Sequence, residues 1–180
     1  VRTLNDLVEK LLIYTSGVSA DFEQADLASV IDDAFAYAAA EIEDAKVEIV
    51  RPGDEDTFPI VADPQILVRA FLNVILNAVH AVGEGGTLRV AVNSSGEGAS
   101  GRYSVSFSDS GPGIPEGDLD RIFDPFFTKK STGTGLGLAI TAGCIEAHRG
   151  KIESCNAPGG GAEFVFTLPM RPDMMETEGE

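Results

Sequence analysis

Arg102-Tyr103-Ser104-Val105-Ser106-Phe107-Ser108-Asp109-Ser110-Gly111-Pro112-Gly113-Ile114 alternates apolar and polar residues and then stops on a carboxylate and two glycines. Successive side chains of a strand point to opposite faces. Tyr103, Val105 and Phe107 therefore share the core face, and Asp109 falls in line with them. A carboxylate on that face is costly unless it meets a donor, a cation or a ligand. Two readings stand at this point. In one, Asp109 caps local N–H groups in a turn. In the other, it accepts a hydrogen bond from the amine of a flat base. Gly111 and Gly113 would then remove Cβ atoms that block the base, and Ile114 would cover one face. Adenine offers an amine where guanine offers a carbonyl, so this second reading selects ATP over GTP.

Working outward, residues 87–92 alternate in the same way and pair with 102–108 around a Gly/Ser loop at 93–101. Residues 47–50 and, less regularly, 58–62 read as strands, and 152–155 with 163–168 read as a hairpin around Pro158-Gly159-Gly160-Gly161. Leu27, Val30, Ile31, Phe35, Ala38 and Ile42 recur at helical spacing, with Asp26 as N-cap. Asp63-Pro64 opens a helix that runs to about Val82 and stops at Gly83. Residues 136–148 form another, closed by Gly150, and Gly111 to Ser131 holds one helical turn at most. Leu4, Leu7, Val8, Leu11 and Leu12 predict a short amphipathic helix at the N-terminus. Consecutive strands are mostly antiparallel neighbours, which predicts an α+β fold, a two-layer sandwich with its helices on one face of the sheet. The expected division is a helix end over 1–15, a polar linker over 16–26, the main domain over 27–170 and an acidic, disordered tail over 171–180.

The 64–82 helix is apolar nearly all round, as a buried helix is. Its polar exceptions include Arg69, Asn73, Asn77 and His80, spaced by four, four and three, so they share one stripe. Buried asparagines need partners. They either satisfy neighbouring loops or wall a ligand cavity, where an Asn oxygen suits Mg²⁺ carried by phosphates. His80 reads more simply as a solvated helix-end histidine. Farther on, Lys129 and Lys130 precede Gly133, Thr134, Gly135, Leu136 and Gly137, and the chain then enters an apolar helix. Glycines allow close backbone approach, and lysines and a helix N-terminus attract anions, so this loop suits phosphate. It is not a P-loop, because no Lys-Ser/Thr follows the glycines. Taken alone, the two lysines read as solvated surface groups, and His148 and Arg149 as complements to a helix C-terminus.

Composition narrows the choice. The 180 residues carry a formal charge of −16, which argues against a nucleic-acid footprint. An apolar share of 43% suffices for a core. No apolar run reads as a membrane span, and no signal peptide is expected. Cys144 and Cys155 lack metal-ligand spacing and read as reduced thiols in a cytosolic setting. The start at Val1, without an initiator Met, is what a fragment would show. A dinucleotide-binding reading of Gly111-Pro112-Gly113 fails, because the Pro-containing segment beyond it cannot open the required helix.

Several motifs in sequence order resemble the ATP-binding catalytic domain of sensor histidine kinases, within the GHKL group. Asn73-Val74-Ile75-Leu76-Asn77-Ala78 resembles the N box, and Asp109-Ser110-Gly111-Pro112-Gly113-Ile114 the first glycine box. Phe123-Asp124-Pro125-Phe126-Phe127 resembles the F box, and Gly133-Thr134-Gly135-Leu136-Gly137-Leu138 the second glycine box. The closing helix and hairpin are similar too, so the likeness covers about residues 20–169.

The resemblance implies a Bergerat-type fold, with a mixed sheet backed by three helices and Mg-ATP held under a lid over residues 115–134. It implies that Asn77 ligates Mg²⁺, that Asn73 sits beside the phosphates as the catalytic asparagine, and that Asp109 binds the adenine amine with Gly113 nearby through water. Ile114 and Leu136 would pack near the base, Gly133, Gly135 and Gly137 would approach the phosphates, and Lys129 or Lys130 would reach them from the lid. Gly111, Thr134 and His80 complete the expected ATP-binding set. His80 replaces a frequent lysine, as in nitrogen-regulation-type kinases, and Ala162 replaces a frequent threonine. Hydrolytic relatives carry Glu where Asn73 stands, so phosphoryl transfer to a protein is implied over ATP hydrolysis. The phosphoacceptor histidine would belong to an upstream dimerisation module, whose last helix residues 1–14 resemble, and a response regulator would receive the phosphoryl group. A cytoplasmic location is expected, with membrane attachment only through upstream segments. The competing expectation is a degenerate module that binds nucleotide or a partner without kinase activity.

Overall fold

The alternation around Asp109 is the middle strand of a five-stranded sheet. A computed structural model describes residues 19–51, 56–96, 100–130 and 133–172. Along the chain run β1 (Glu23–Asp26), α1 (Leu27–Tyr37), α2 (Ala39–Asp44), β2 (Glu48–Val50), β3 (Pro59–Ala62), α3 (Pro64–Val82) and β4 (Thr87–Ser95). After them come β5 (Arg102–Asp109), a 3₁₀ turn (Glu116–Asp118), α4 (Gly137–Ala147), β6 (Lys151–Asn156) and β7 (Ala162–Pro169). The sheet order is β2-β4-β5-β7-β6. β2 runs parallel to β4, and every other pair is antiparallel. This is the expected two-layer α+β sandwich with a mixed sheet.

β5 buries every second residue, ending on Asp109. Across the β5–β7 register, Tyr103 faces Leu168, Val105 faces Phe166 and Phe107 faces Phe164. Phe71 of α3 packs its ring 5.4 Å from Phe107 and 5.1 Å from Phe166, and those two rings lie 5.6 Å apart. These edge-to-face and tilted ring contacts add to the hydrophobic term and fix the helix over the sheet. α3 buries Leu67, Val68, Ala70, Phe71, Val74, Ile75, Ala78 and Val79. Asp63 caps its start by accepting from the Ile66 N–H at 3.1 Å. Gly83, at φ +69, ends it. Helices α1 and α4 flank α3.

Several expectations change. The 16–26 linker contains strand β1, which pairs antiparallel with β3 in a separate two-stranded sheet. Three of its residues, Glu23, Gln24 and Asp26, are polar, and the strand is exposed at its first half and half-buried at its second, so no period-two signal marks it. The expected helix over 27–42 is two helices divided at Ala38 (φ −92°, ψ 1°), and no Gly or Pro marks the break. β4 continues to Ser95, into the expected loop. α3 has the length and apolar character of a membrane span, contrary to the sequence expectation, because it is the core helix of this fold. Cys144 is buried and Cys155 is exposed, and both are free thiols. The expected helix over 4–12, and with it the whole 1–15 segment and the acidic tail beyond residue 172, lies outside the described residues.

Candidate nucleotide site

A cavity of about 840 Å³ opens between α3, the end of β5, the segment after it and the start of α4. Its lining includes Asn73, Asn77, His80, Asp109, Gly113, Ile114, Lys129, Lys130, Gly133, Thr134, Gly135 and Gly137. The structure thus gathers twelve of the fourteen sequence-predicted residues at one cleft. Gly111 and Leu136 are not in the lining.

At the inner end, Asp109 is 6% exposed. Its Oδ1 accepts from the Gly111 N–H at 2.8 Å and from the Ala162 N–H at 3.2 Å. Oδ2 has no partner among the described residues and opens to the cavity that Asp109 lines. The turn-capping reading of Asp109 therefore holds for Oδ1, and Oδ2 is left available to a ligand donor. The first oxygen fixes the carboxylate in place, and the second is a presented acceptor. Gly111 serves the first role: a Cβ there would lie 2.9 Å from Asp109 Oδ1 and 3.1 Å from the Ala81 carbonyl oxygen. It holds the turn against α3 and does not floor a base. Leu136 is fully buried, beneath the wall.

At the outer end stands the polar stripe of α3. Asn73 Nδ2 donates to Thr141 Oγ1 at 3.0 Å, and Thr141 donates in turn to the Gly137 carbonyl at 3.0 Å. A Cβ on Gly137 would meet Asn73 Oδ1 at 2.4 Å, so only glycine lets α3 and α4 approach this closely. Lys130 Nζ donates to Asn77 Oδ1 at 3.2 Å, and burial lowers the Lys130 pKa from its ordinary value. Lys129 pairs instead with Asp118. His80 is exposed at the rim, and Arg69, the fourth member of the stripe, is exposed and not in the lining. The first turn of α4 has no side-chain cap, so its free N–H groups meet the cavity around Gly137 and Leu138. An acceptor facing a base-sized recess, with amides, an ammonium and a helix N-terminus beyond it, suits a purine nucleotide with its phosphates outward.

Residues 62–172 match the family described as histidine kinase-, DNA gyrase B- and HSP90-like ATPase. The chain belongs to that ATPase family. The domain is 36% identical over 176 residues to the sensor histidine kinase ZraS of Klebsiella oxytoca, covering 98% of this chain and 37% of that one. The catalytic domain of histidine kinase ThkA superposes with a TM-score of 0.74 at 31% identity, over 85% of this chain and 98% of that domain. ThkA solved in complex with the response regulator protein TrrA gives a TM-score of 0.78 at 28% identity, over 96% of this chain and 49% of ThkA. The chain spans little more than a third of the ZraS sequence. Membership in that ATPase family implies nucleotide binding, and this cavity is the candidate site for it.

The sequence reading did not single out four contributors. These are Thr141, the Ala162 amide, Asp118 and Asn156, whose side chain holds the Ile114 backbone at both its N–H and its carbonyl. Backbone donors leave no trace in a sequence, and a Thr inside an apolar helix looks like ordinary core.

Proposed function

We propose that this chain is the ATP-binding catalytic part of a two-component sensor histidine kinase. It binds ATP with Mg²⁺ and supports transfer of the γ-phosphoryl group to a histidine on an upstream dimerisation module. In this reading the segment over 1–15 belongs to that module, the following residues join it to the catalytic domain, and that domain begins at β1 (Glu23–Asp26) and runs to about residue 170. A response regulator takes the phosphoryl group next, and the reaction is cytoplasmic.

The presented Asp109 Oδ2 carries this reading. A donor must complete it, and the adenine amine is such a donor, while a guanine carbonyl would face the carboxylate with like charge. Asn73 and Asn77 fit a metal that arrives with phosphates. Among the described residues no three His, Cys, Asp or Glu side chains gather, so the remaining ligands have to come from phosphate and water. The oxygen of Asn77 already holds a cation, the Lys130 ammonium. Bound Mg²⁺ would neutralise phosphate charge as the histidine nitrogen bonds to the γ-phosphorus and the bond to the β–γ bridging oxygen breaks, leaving ADP. This chain's own part is to position and to exclude water. An amide at Asn73, in place of a carboxylate, offers no base to activate water. An intact set of cavity residues also argues against a degenerate module.

The upstream module, restored to the chain and incubated with γ-labelled ATP, should become labelled on histidine, in an acid-labile and alkali-stable form. Labelled inorganic phosphate with no protein label would contradict the proposal.

A further inference from the structure

The base end of the cleft has two sides, the Asp109 carboxylate and the Gly113–Ile114 wall, and one hairpin end holds both. β5 ends at Asp109, and the chain turns away from the sheet. Among the described residues, the hydrogen bonds that tie residues 112–115 to the sheet both come from Asn156. Its Oδ1 accepts from the Ile114 N–H at 2.7 Å, and its Nδ2 donates to the Ile114 carbonyl at 2.7 Å. A primary amide has the same donor and acceptor as a peptide unit. Asn156 therefore pairs with Ile114 as an adjoining strand would, although its own backbone belongs to β6.

Gly113 carries the imprint of this contact. It sits at φ +77, and a Cβ there would come 2.7 Å from Asn156 Oδ1. Glycine is required both by the backbone and by the amide. Asn156 also lies opposite Ala162 in the β6–β7 register. The Ala162 N–H holds Asp109 Oδ1, and Gly161, at φ +87, packs against the Asp109 backbone with no room for a Cβ. The spacing between acceptor and wall is thus set by one β-hairpin end.

Resting on the nucleotide reading above, we infer that Asn156 is a positioning residue for the base. Through Ile114 and Gly113 it sets the gap into which adenine fits, and it anchors the start of the lid segment. It touches neither phosphate nor metal.

The test uses Asn156→Ala and the nearly isosteric Asn156→Asp, which keeps the acceptor and loses the donor. Calorimetry with Mg-ATP and amide hydrogen exchange are read on the same 180-residue chain. Asn156→Ala, which loses both hydrogen bonds, should bind Mg-ATP about tenfold more weakly, and Asn156→Asp, which loses the donated one, about threefold. The Ile114 amide should exchange faster, with the nucleotide-free melting midpoint moved by less than about 2 °C, since Asn156 is exposed. Unchanged affinity in both variants overturns the inference. So does wild-type affinity in Asn156→Asp alone, which would assign the effect to bulk and not to the amide. A wild-type chain that fails to bind Mg-ATP overturns the nucleotide reading itself and this inference with it, whereas wild-type binding with unaffected variants overturns this inference alone.

Discussion

Asp109 was legible from the sequence because a strand's period is strict. Once Tyr103, Val105 and Phe107 define the core face, the next residue in phase is Asp109, and a carboxylate there needs a reason. Thr141 was not legible, since a small residue in an apolar helix gives no such signal. In the fold it is 1% exposed and orients the Asn73 amide. Its one proton goes to the Gly137 carbonyl, so it accepts from Asn73 Nδ2 and leaves Oδ1 turned toward Gly137 at the cavity. Thr141→Val keeps the shape and removes the acceptor. It should weaken Mg-ATP binding about tenfold, through an amide left without its partner. Thr141→Ser should restore wild-type binding in the same titration, and equal affinity for all three chains would count against this role.

Among elements, α3 was read almost to the residue, because Asp63-Pro64 and Gly83 punctuate a long apolar run. β1 was missed for the opposite reason: its stability comes from a partner far along the chain, β3, and not from its own four residues. Asp26 joins the two. It caps α1, with Oδ1 accepting from the Ala28 N–H at 3.0 Å, and the same oxygen accepts from the Phe58 N–H at 2.9 Å, just before β3. The cap was evident from sequence, but the cross-strand bond was not. Asp26→Ala should therefore cost about 1–2 kcal/mol, more than a minor capping loss, because two backbone donors lose their acceptor. A urea titration should show a lower midpoint with an unchanged slope. A midpoint equal to wild type would refute the double role.

At the scale of the whole molecule, His148 ties two helices together. Its Nδ1 donates to the Cys144 carbonyl at 2.7 Å, and its Nε2 accepts from the Asp63 N–H at 3.0 Å. Both bonds require the neutral ring with the proton on Nδ1. Burial lowers its pKa from 6.5, against weaker opposing effects of the Cys144 carbonyl and Asp63. The unfolded chain therefore binds a proton that the folded chain refuses as pH falls below about 6.5, so stability falls with it. The contribution of this one site is at most about 1.4 kcal/mol per pH unit. His148→Gln should show a flatter loss of stability between pH 7 and pH 5, and an unchanged pH profile would contradict a neutral buried histidine. The sequence placed His148 at a helix end but gave no sign of its burial, which depends on how the two helices meet.

In the assembled molecule the role proposed for Asp109 is to offer one carboxylate oxygen to an adenine amine. Isothermal titration with ATP and with GTP, both with Mg²⁺, tests it most directly. The account predicts clear binding of ATP, GTP weaker by at least about 100-fold, and loss of that preference in Asp109→Ala. Equal affinity for the two nucleotides, or ATP binding untouched by Asp109→Ala, would contradict it.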